Sequence, residues 1–210
     1  MAKKAGTTKP ASTYDVHPVI AEMATWVGTL PARTGRSIDQ WADLVIAKAP
    51  ADQPGRKKWL REQHPFKADE ANWIVQRASG VAFAASEAEY LAEAESIVSA
   101  MFAGPKASLL PIHDAIMAMV RKLSKELRVC PCKTMIPMYH NHVIAQMKPT
   151  TRTRLDLGFA LKGQKTPAYL VDTGGAAKGD RITHRLELTS PDQVDERALR
   201  WLTKALELDS

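Results

Sequence analysis

Arg154-Leu155-Asp156-Leu157-Gly158-Phe159-Ala160-Leu161 decides the fold class of this chain. Leu155, Leu157, Phe159 and Leu161 alternate strictly with Arg154, Asp156, Gly158 and Ala160. Successive side chains of an extended strand point to opposite faces, so the stretch predicts a strand with one apolar row and one polar row. The same period of two extends to either side. Val143, Ala145 and Met147 alternate with Ile144, Gln146 and Lys148, and Ile182, His184, Leu186 and Leu188 alternate with Thr183, Arg185 and Glu187. Lys133 to Tyr139 reads as a weaker strand, placed at a sheet edge by Pro137. Ala168 to Asp172 is a further short candidate.

Helical periodicity flanks this region. Ser108 is expected to cap a long helix whose apolar face is Ile112, Ile116, Met119, Val120, Leu123 and Leu127. Ser190-Pro191-Asp192-Gln193 has the form of a helix start, with Val194, Ala198, Trp201, Leu202 and Ala205 inward. Helix, then four or five antiparallel strands, then helix is the order of an α+β layer with helices packed on one face.

The first half reads as all-helical. Val19, Ile20, Met23, Trp26 and Val27 recur at helical spacing, and Leu30-Pro31 and Thr34-Gly35 are expected to break that helix. Ser37-x-x-Gln40 is a capping box for a second helix with Ile38, Trp41, Leu44 and Val45 inward. A third helix carries Pro54 in its first turn and ends at His64-Pro65; a fourth runs from about Ala68 to a cap at Gly80. Ser86-x-x-Glu89 opens an Ala/Glu-rich helix with Tyr90, Leu91, Ala94, Ile97, Val98 and Met101 on one side. The expected division is a disordered tail at 1–13, a helical domain at 14–80, a connecting acidic helix at 81–104 and an α+β domain at 105–210, the last boundary drawn at Ala103-Gly104-Pro105.

Composition narrows the function classes. The 210 residues are 45% hydrophobic and 25% charged, as in a globular protein rather than a disordered or collagenous one. No run of 18 apolar residues exists and the lysine-bearing first 13 residues lack an apolar core, so neither a membrane span nor a signal peptide is expected. The two cysteines, Cys130 and Cys132, are too few for a disulfide framework and suit a reducing cytoplasm. The formal charge of +6 lies entirely in the second half. Residues 1–104 balance 12 basic against 12 acidic residues, whereas residues 121–165 hold ten basic residues and only Glu126 and Asp156 as acids. A basic segment of that kind attracts a phosphate-bearing partner, nucleic acid or nucleotide, and equally describes a solvated face.

Parity selects the candidate site. Arg154 and Asp156 lie opposite the Leu155/Leu157 row, and Gln146, Lys148, Thr183 and Arg185 share their face if the strands pair nearby. Thr150, Thr151, Arg152 and Thr153 form the turn between two of these strands. Arginine forks and lysine point charges suit phosphate or carboxylate. Lys133, Lys148, Arg152, Arg154, Asp156 and Arg185 are therefore the expected ligand-binding set. The alternatives are that Arg154–Asp156 and Arg185–Glu187 are cross-strand ion pairs on a solvated sheet face, or that this face docks the helical half.

Other motifs carry less. His184 falls by parity on the apolar face, as a hydrogen-bonded core histidine would, and no Ser, Cys or acid is spaced to make it part of a triad. Cys130-Pro131-Cys132 and His140-Asn141-His142 are each a half-site separated by an extended strand, so no metal is expected, and no cofactor either. Thr173 to Asp180 has P-loop glycine spacing but places Asp180 where lysine is needed; it reads as a hairpin connection, with a weak resemblance to an anion nest. Trp26, Trp41, Trp59 and Trp73, interleaved with Arg56, Lys57, Lys58 and Arg61, read as a small helical core or as base-stacking beside phosphate contacts; a helix-turn-helix over Arg56–Arg77 is a generic reading of the same stretch.

The segment from Phe102 to the end resembles the family called domain of unknown function 5655. The resemblance rests on Phe102-Ala103-Gly104, Lys133-Thr134, Lys148-Pro149-Thr150, Arg154-Leu155-Asp156-Leu157-Gly158, Thr183-His184-Arg185 and Leu188-Thr189-Ser190-Pro191 with Val194-Asp195, Leu199 and Trp201-Leu202. Thr34-Gly35-Arg36-Ser37 with Trp41, and Trp59-Leu60 with His64, are similar to a helical companion, domain of unknown function 4287, with Pro65 where that pattern has glycine. Related domains accompany restriction-type proteins, so the resemblance favours a nucleic-acid partner by analogy. The expected function is a binding module for a phosphate-bearing ligand, leaning away from an enzyme. The alternatives are an enzyme on a small anionic substrate, with His184 and Asp156 as acid and base, and a scaffold that uses the acidic helix at Glu87–Glu95.

Overall fold

The computed structural model describes residues 12–80 and 86–210. The tail expected at 1–13 lies outside the described residues except for Ser12 and Thr13, as do residues 81–85 of the connecting segment. The chain forms two compact units, Pro18–Tyr90 on one hand and Met1–His17 with Leu91–Ser210 on the other.

The Pro18–Tyr90 unit contains α1 (Pro18–Thr34), α2 (Ile38–Lys48), α3 (Gln53–Gln63) and α4 (Ala68–Ala78). The expected break at Pro31 does not occur; α1 runs through it and stops at Gly35, whose φ is +73°. Pro31 lies in the last turn, where its ring costs a single intrahelical bond, and the left-handed backbone at Gly35 ends the helix. The Ser37 box forms as expected, with Gln40 N–H donating to Ser37 Oγ and Ser37 N–H donating to Gln40 Oε1. Leu30, Trp41, Val45, Leu60, Phe66 and Ile74 are its core, so Trp41 serves packing. Glu70 is buried there, bonded by the Trp26 indole, Arg33 and the Lys67 N–H. Burial works to raise its carboxyl, but those hydrogen bonds outweigh burial and hold it below the usual range.

The second unit is α+β. It takes in α5 (Glu87–Met101) from Leu91 onward, a 3-10 turn at Gly104–Leu109 and α6 (Leu110–Leu123). The strands are β1 (Arg128–Val129), β2 (Ile136–Tyr139), β3 (Val143–Pro149), β4 (Leu155–Phe159), β5 (Val171–Asp172) and β6 (His184–Leu188). A four-residue α7 (Gly175–Lys178) precedes β6, and α8 (Glu196–Glu207) closes the chain. The sheet is antiparallel throughout, in the order β1-β2-β3-β4-β6-β5. Six strands stand where four or five are expected, because two-residue β1 is too short to show alternation.

The apolar rows are those parity selects. Met147, Leu157 and Leu186 are in register, as are Pro149, Leu155 and Leu188. α8 packs over β3 and β4, and α6 packs on α8. Buried Ile112, Ile116 and Val120 of α6 and Ala198, Trp201 and Leu202 of α8 join the sheet's apolar row in one core. Ser108 does not cap α6; it lies in the 3-10 turn that begins with Gly104-Pro105. The Ser190 box likewise caps a 3-10 turn, Pro191–Gln193, while Asp195 caps α8.

Pro137 does not mark an edge. β2 is paired on both sides, and the Pro137 carbonyl accepts from Cys130 N–H at 3.0 Å. The N–H and C=O of one residue point to the same side of a strand, so the missing donor faces β1 and leaves the β3 ladder whole. The outer side of β1 is occupied by residues 14–17, which are expected in the helical domain at 14–80. Asp15 N–H donates to Val129 O at 2.8 Å, Val129 N–H returns to Asp15 Oδ2 at 2.7 Å, and Arg121 bonds both Thr13 O and Asp15. Tyr14, 7% exposed, is part of the α+β core.

Candidate functional site

Cross-strand register builds the polar face. Lys148, Asp156 and Glu187 stand opposite one another on β3, β4 and β6; Gln146, Gly158 and Arg185 form the next row. Gly158 is required by close approach, since a Cβ there would lie 2.6 Å from Ile182 Cγ2.

Four of these charges form one network. Asp156, 9% exposed, has Oδ1 2.9 Å from Arg154 Nε and accepts a 2.7 Å bond from Thr150 Oγ1 on Oδ2. Arg154 Nη1 reaches Glu187 Oε1 at 3.1 Å, and Arg185 donates to the same oxygen through Nη2 at 2.8 Å. The hydrogen bond from Arg185, with the Arg154 charge, holds the Glu187 carboxyl below its usual range. Two arginines against two carboxylates leave the network without net charge.

The other expected residues are exposed and unpaired among the described residues. Lys148 lies on β3 beside the network and Arg152 tops the β3–β4 turn. Lys133 lies in the turn before β2. Because Ile136 pairs with Met147, that turn leaves the sheet at the end where β3 finishes. Lys106 joins them: its Nζ donates to Pro149 O at 2.6 Å. Lys106 sits in a 3-10 turn, and nothing in local periodicity marks it. One sheet end therefore carries Lys106, Lys133, Lys148 and Arg152 around a neutral brace of Arg154, Arg185, Asp156 and Glu187. Thr183 is not on this face. It is buried, donating its N–H to Phe159 O and accepting the Leu161 N–H on Oγ1.

His184 and Asp156 are not brought together. His184 pairs with Phe159 and Asp156 with Glu187, on opposite faces of the sheet. His184 is half-buried, 2.9 Å from Thr183 Oγ1. Burial pushes the Cys130 thiol up to about 12 and also raises that of Cys132, which makes both poor nucleophiles. At the Gly-rich loop, Asp172 Oδ1 already accepts the Gly174 N–H at 2.7 Å. That carboxylate fills the place an anion would take.

A model of the family described as Domain of unknown function (DUF5655) matches residues 98–209, more than half of the chain. The chain belongs to this family. No curated protein and no solved structure matches. The DUF5655 region spans the whole sheet and α8, and with them every residue of the sheet-end set. The arm at residues 12–17 that pairs with β1 lies outside it.

One cluster in the DUF5655 region escaped sequence reasoning, because Asp209 lies 28 to 69 residues from its partners. Asp209, with 3% of its side chain exposed, accepts from His142 N–H, His142 Nδ1 and Arg181 Nη2 at 2.8–2.9 Å; His140 Nδ1 is 3.5 Å away. The bonds close the β2–β3 hairpin onto the chain end. Burial works to raise the Asp209 carboxyl, but the His142 bonds and the Arg181 charge hold it below the usual range. A carboxylate depressed on folding stabilises the fold above its unfolded pKa of about 3.9, and that contribution is lost as pH falls through the folded value. Urea midpoints measured from about pH 6 down to about pH 2 should therefore fall more steeply for the wild type than for Asp209→Asn. Parallel curves would mean that Asp209 contributes no pH-dependent stability.

Proposed function

We propose that the chain binds a phosphate-bearing polyanion, nucleic acid above all, through the sheet end that carries Lys106, Lys133, Lys148 and Arg152. The observation behind this reading is the segregation of charge. Arg154 and Arg185 are neutralised by Asp156 and Glu187, while four further cations at the same sheet end have no carboxylate partner among the described residues. Binding to phosphates releases condensed counterions, so log K against log[salt] slopes by about −0.9 per phosphate neutralised on duplex DNA. Four contacts give a slope of roughly −3.6.

The variant Lys148→Ala/Arg152→Ala removes two free cations without touching the brace. It should flatten the slope by about two units, with the melting temperature unchanged. The measurement is an anisotropy titration of labelled duplex and single strands across salt concentration. No binding by about 100 μM protein at ~50 mM salt would end the proposal, since non-specific electrostatic binding normally reaches ~10⁻⁴–10⁻⁶ M even at physiological salt. Membership of the family leaves the ligand open, and no helix among the described residues is long and apolar enough to cross a membrane.

A further inference from the structure

The helical unit is electrically balanced, with nine basic and nine acidic residues in 18–90, and on composition alone it has no claim on a polyanion. The fold unmixes that balance. α3 carries Arg56, Lys57, Lys58 and Arg61 against the single acid Glu62. Leu60 points inward and is fully buried. Pro54, Lys57, Lys58 and Arg61 recur at i, i+3, i+4 and i+7 and therefore share one outward stripe. Lys67, from the turn into α4, stands across from that stripe, and the two line, with one acid, Glu62, and Phe66, an open groove of 790 Å³ that holds four cations against that one carboxylate. Lys57, Arg61 and Lys67 have no carboxylate partner among the described residues. The Lys58–Glu62 pair is long at 3.8 Å and exposed on both sides, so it restrains Lys58 little.

We infer that this groove is a second polyanion site, seated on the helical unit, which takes the phosphate backbone of a nucleic acid. The surface chemistry favours phosphate over an acidic peptide. Protein interfaces are anchored by apolar and aromatic side chains in desolvated pockets, whereas nucleic-acid interfaces are polar and strongly basic. Phe66, the one aromatic lining this groove, is 6% exposed and held edge-on by Trp26 and Trp41, so it offers neither an anchor nor a stacking platform. What remains is charge, and recognition here is therefore independent of base sequence.

The test uses the full chain and a labelled random-sequence duplex of about 30 base pairs. Lys57→Ala/Lys58→Ala/Arg61→Ala keeps good helix formers on an exposed face, and helicity is checked by circular dichroism. Log K against log[salt] should flatten by about two to three units relative to wild type. Lys67→Gln, outside the helix, should flatten it by about one and gives a second reading should the triple variant lose helicity. An unchanged slope in both variants overturns the inference. So does an oligo-glutamate peptide of equal charge that competes as well as the duplex, which would assign the groove to an acidic protein. Lys148→Ala/Arg152→Ala in the same assay separates the two sites. If it is inert while the α3 variant flattens the slope, the sheet-end reading fails and this one stands; the converse sinks this one alone.

Discussion

Tyr14→Ala should lower the stability of the α+β unit by about 3–5 kcal/mol, the range for truncating a buried aromatic. Tyr14 is 7% exposed in the main core, and its hydroxyl lies 3.2 Å from His113 Nε2. His113, itself buried, directs Nδ1 to Asp114 at 2.8 Å, which leaves Nε2 to accept the phenolic proton. Burial, reinforced by the Glu95 carboxylate, pushes the phenol up to about 12, so it is a donor at any ordinary pH. Truncation thus opens a void and strands a buried acceptor. Tyr14→Phe, which keeps the ring, should cost only about 1–2 kcal/mol. Amide hydrogen exchange across β3 and β4 is the appropriate readout, since four of the five tryptophans belong to the other unit. Protection there should fall by roughly two to four orders of magnitude in Tyr14→Ala. Unchanged protection would show that residues 12–17 merely lie against a domain complete without them.

Asp156→Ala carries the second large effect, and its two consequences have opposite sign. The carboxylate is nearly buried between Arg154 and Arg185 and is bonded by Thr150. Removing one member of a buried ionic cluster typically costs 3–5 kcal/mol. About a quarter of each arginine side chain is exposed, which moves the expectation to roughly 3 kcal/mol. Yet deleting this acid frees positive charge at the proposed interface. The gentler Asp156→Asn should therefore lose stability and gain affinity for duplex DNA, with a salt slope steeper by up to about one unit. A double-mutant cycle with Arg154→Ala should return a coupling of about 0.5–3 kcal/mol. Lower stability with weaker DNA binding would instead point to a network that positions the ligand-binding residues.

Periodicity carried the sequence reading where a face was at stake. The Leu155–Leu161 alternation placed β4, the parity of Lys148, Asp156 and Arg185 placed them on one face, and the stripe on α8 placed its buried side. It failed where a partner was at stake. Pattern says which way a side chain points, not what chain segment lies there. Hence Arg152 and Arg154, two residues apart, both enter the expected binding set, although one is free and the other is tied to Asp156 and, beyond what parity shows, to Glu187. Lys106, Arg181 and Asp209 were invisible for the same reason. Pro137 points to an edge strand by propensity alone, because the neighbour its missing N–H faces is set by pairing and not by local pattern.

The backbone bond between Asp15 and Val129 joins residues 114 apart, with the whole helical unit encoded between them. At 5–20 residues per second, a ribosome needs roughly 6–23 s to make that interval. The arm is thus synthesised well before β1 and docks late. The helical unit can be complete and folded while Tyr14 still waits in solvent for a sheet that does not yet exist. Order of synthesis and order of assembly are inverted for this one segment.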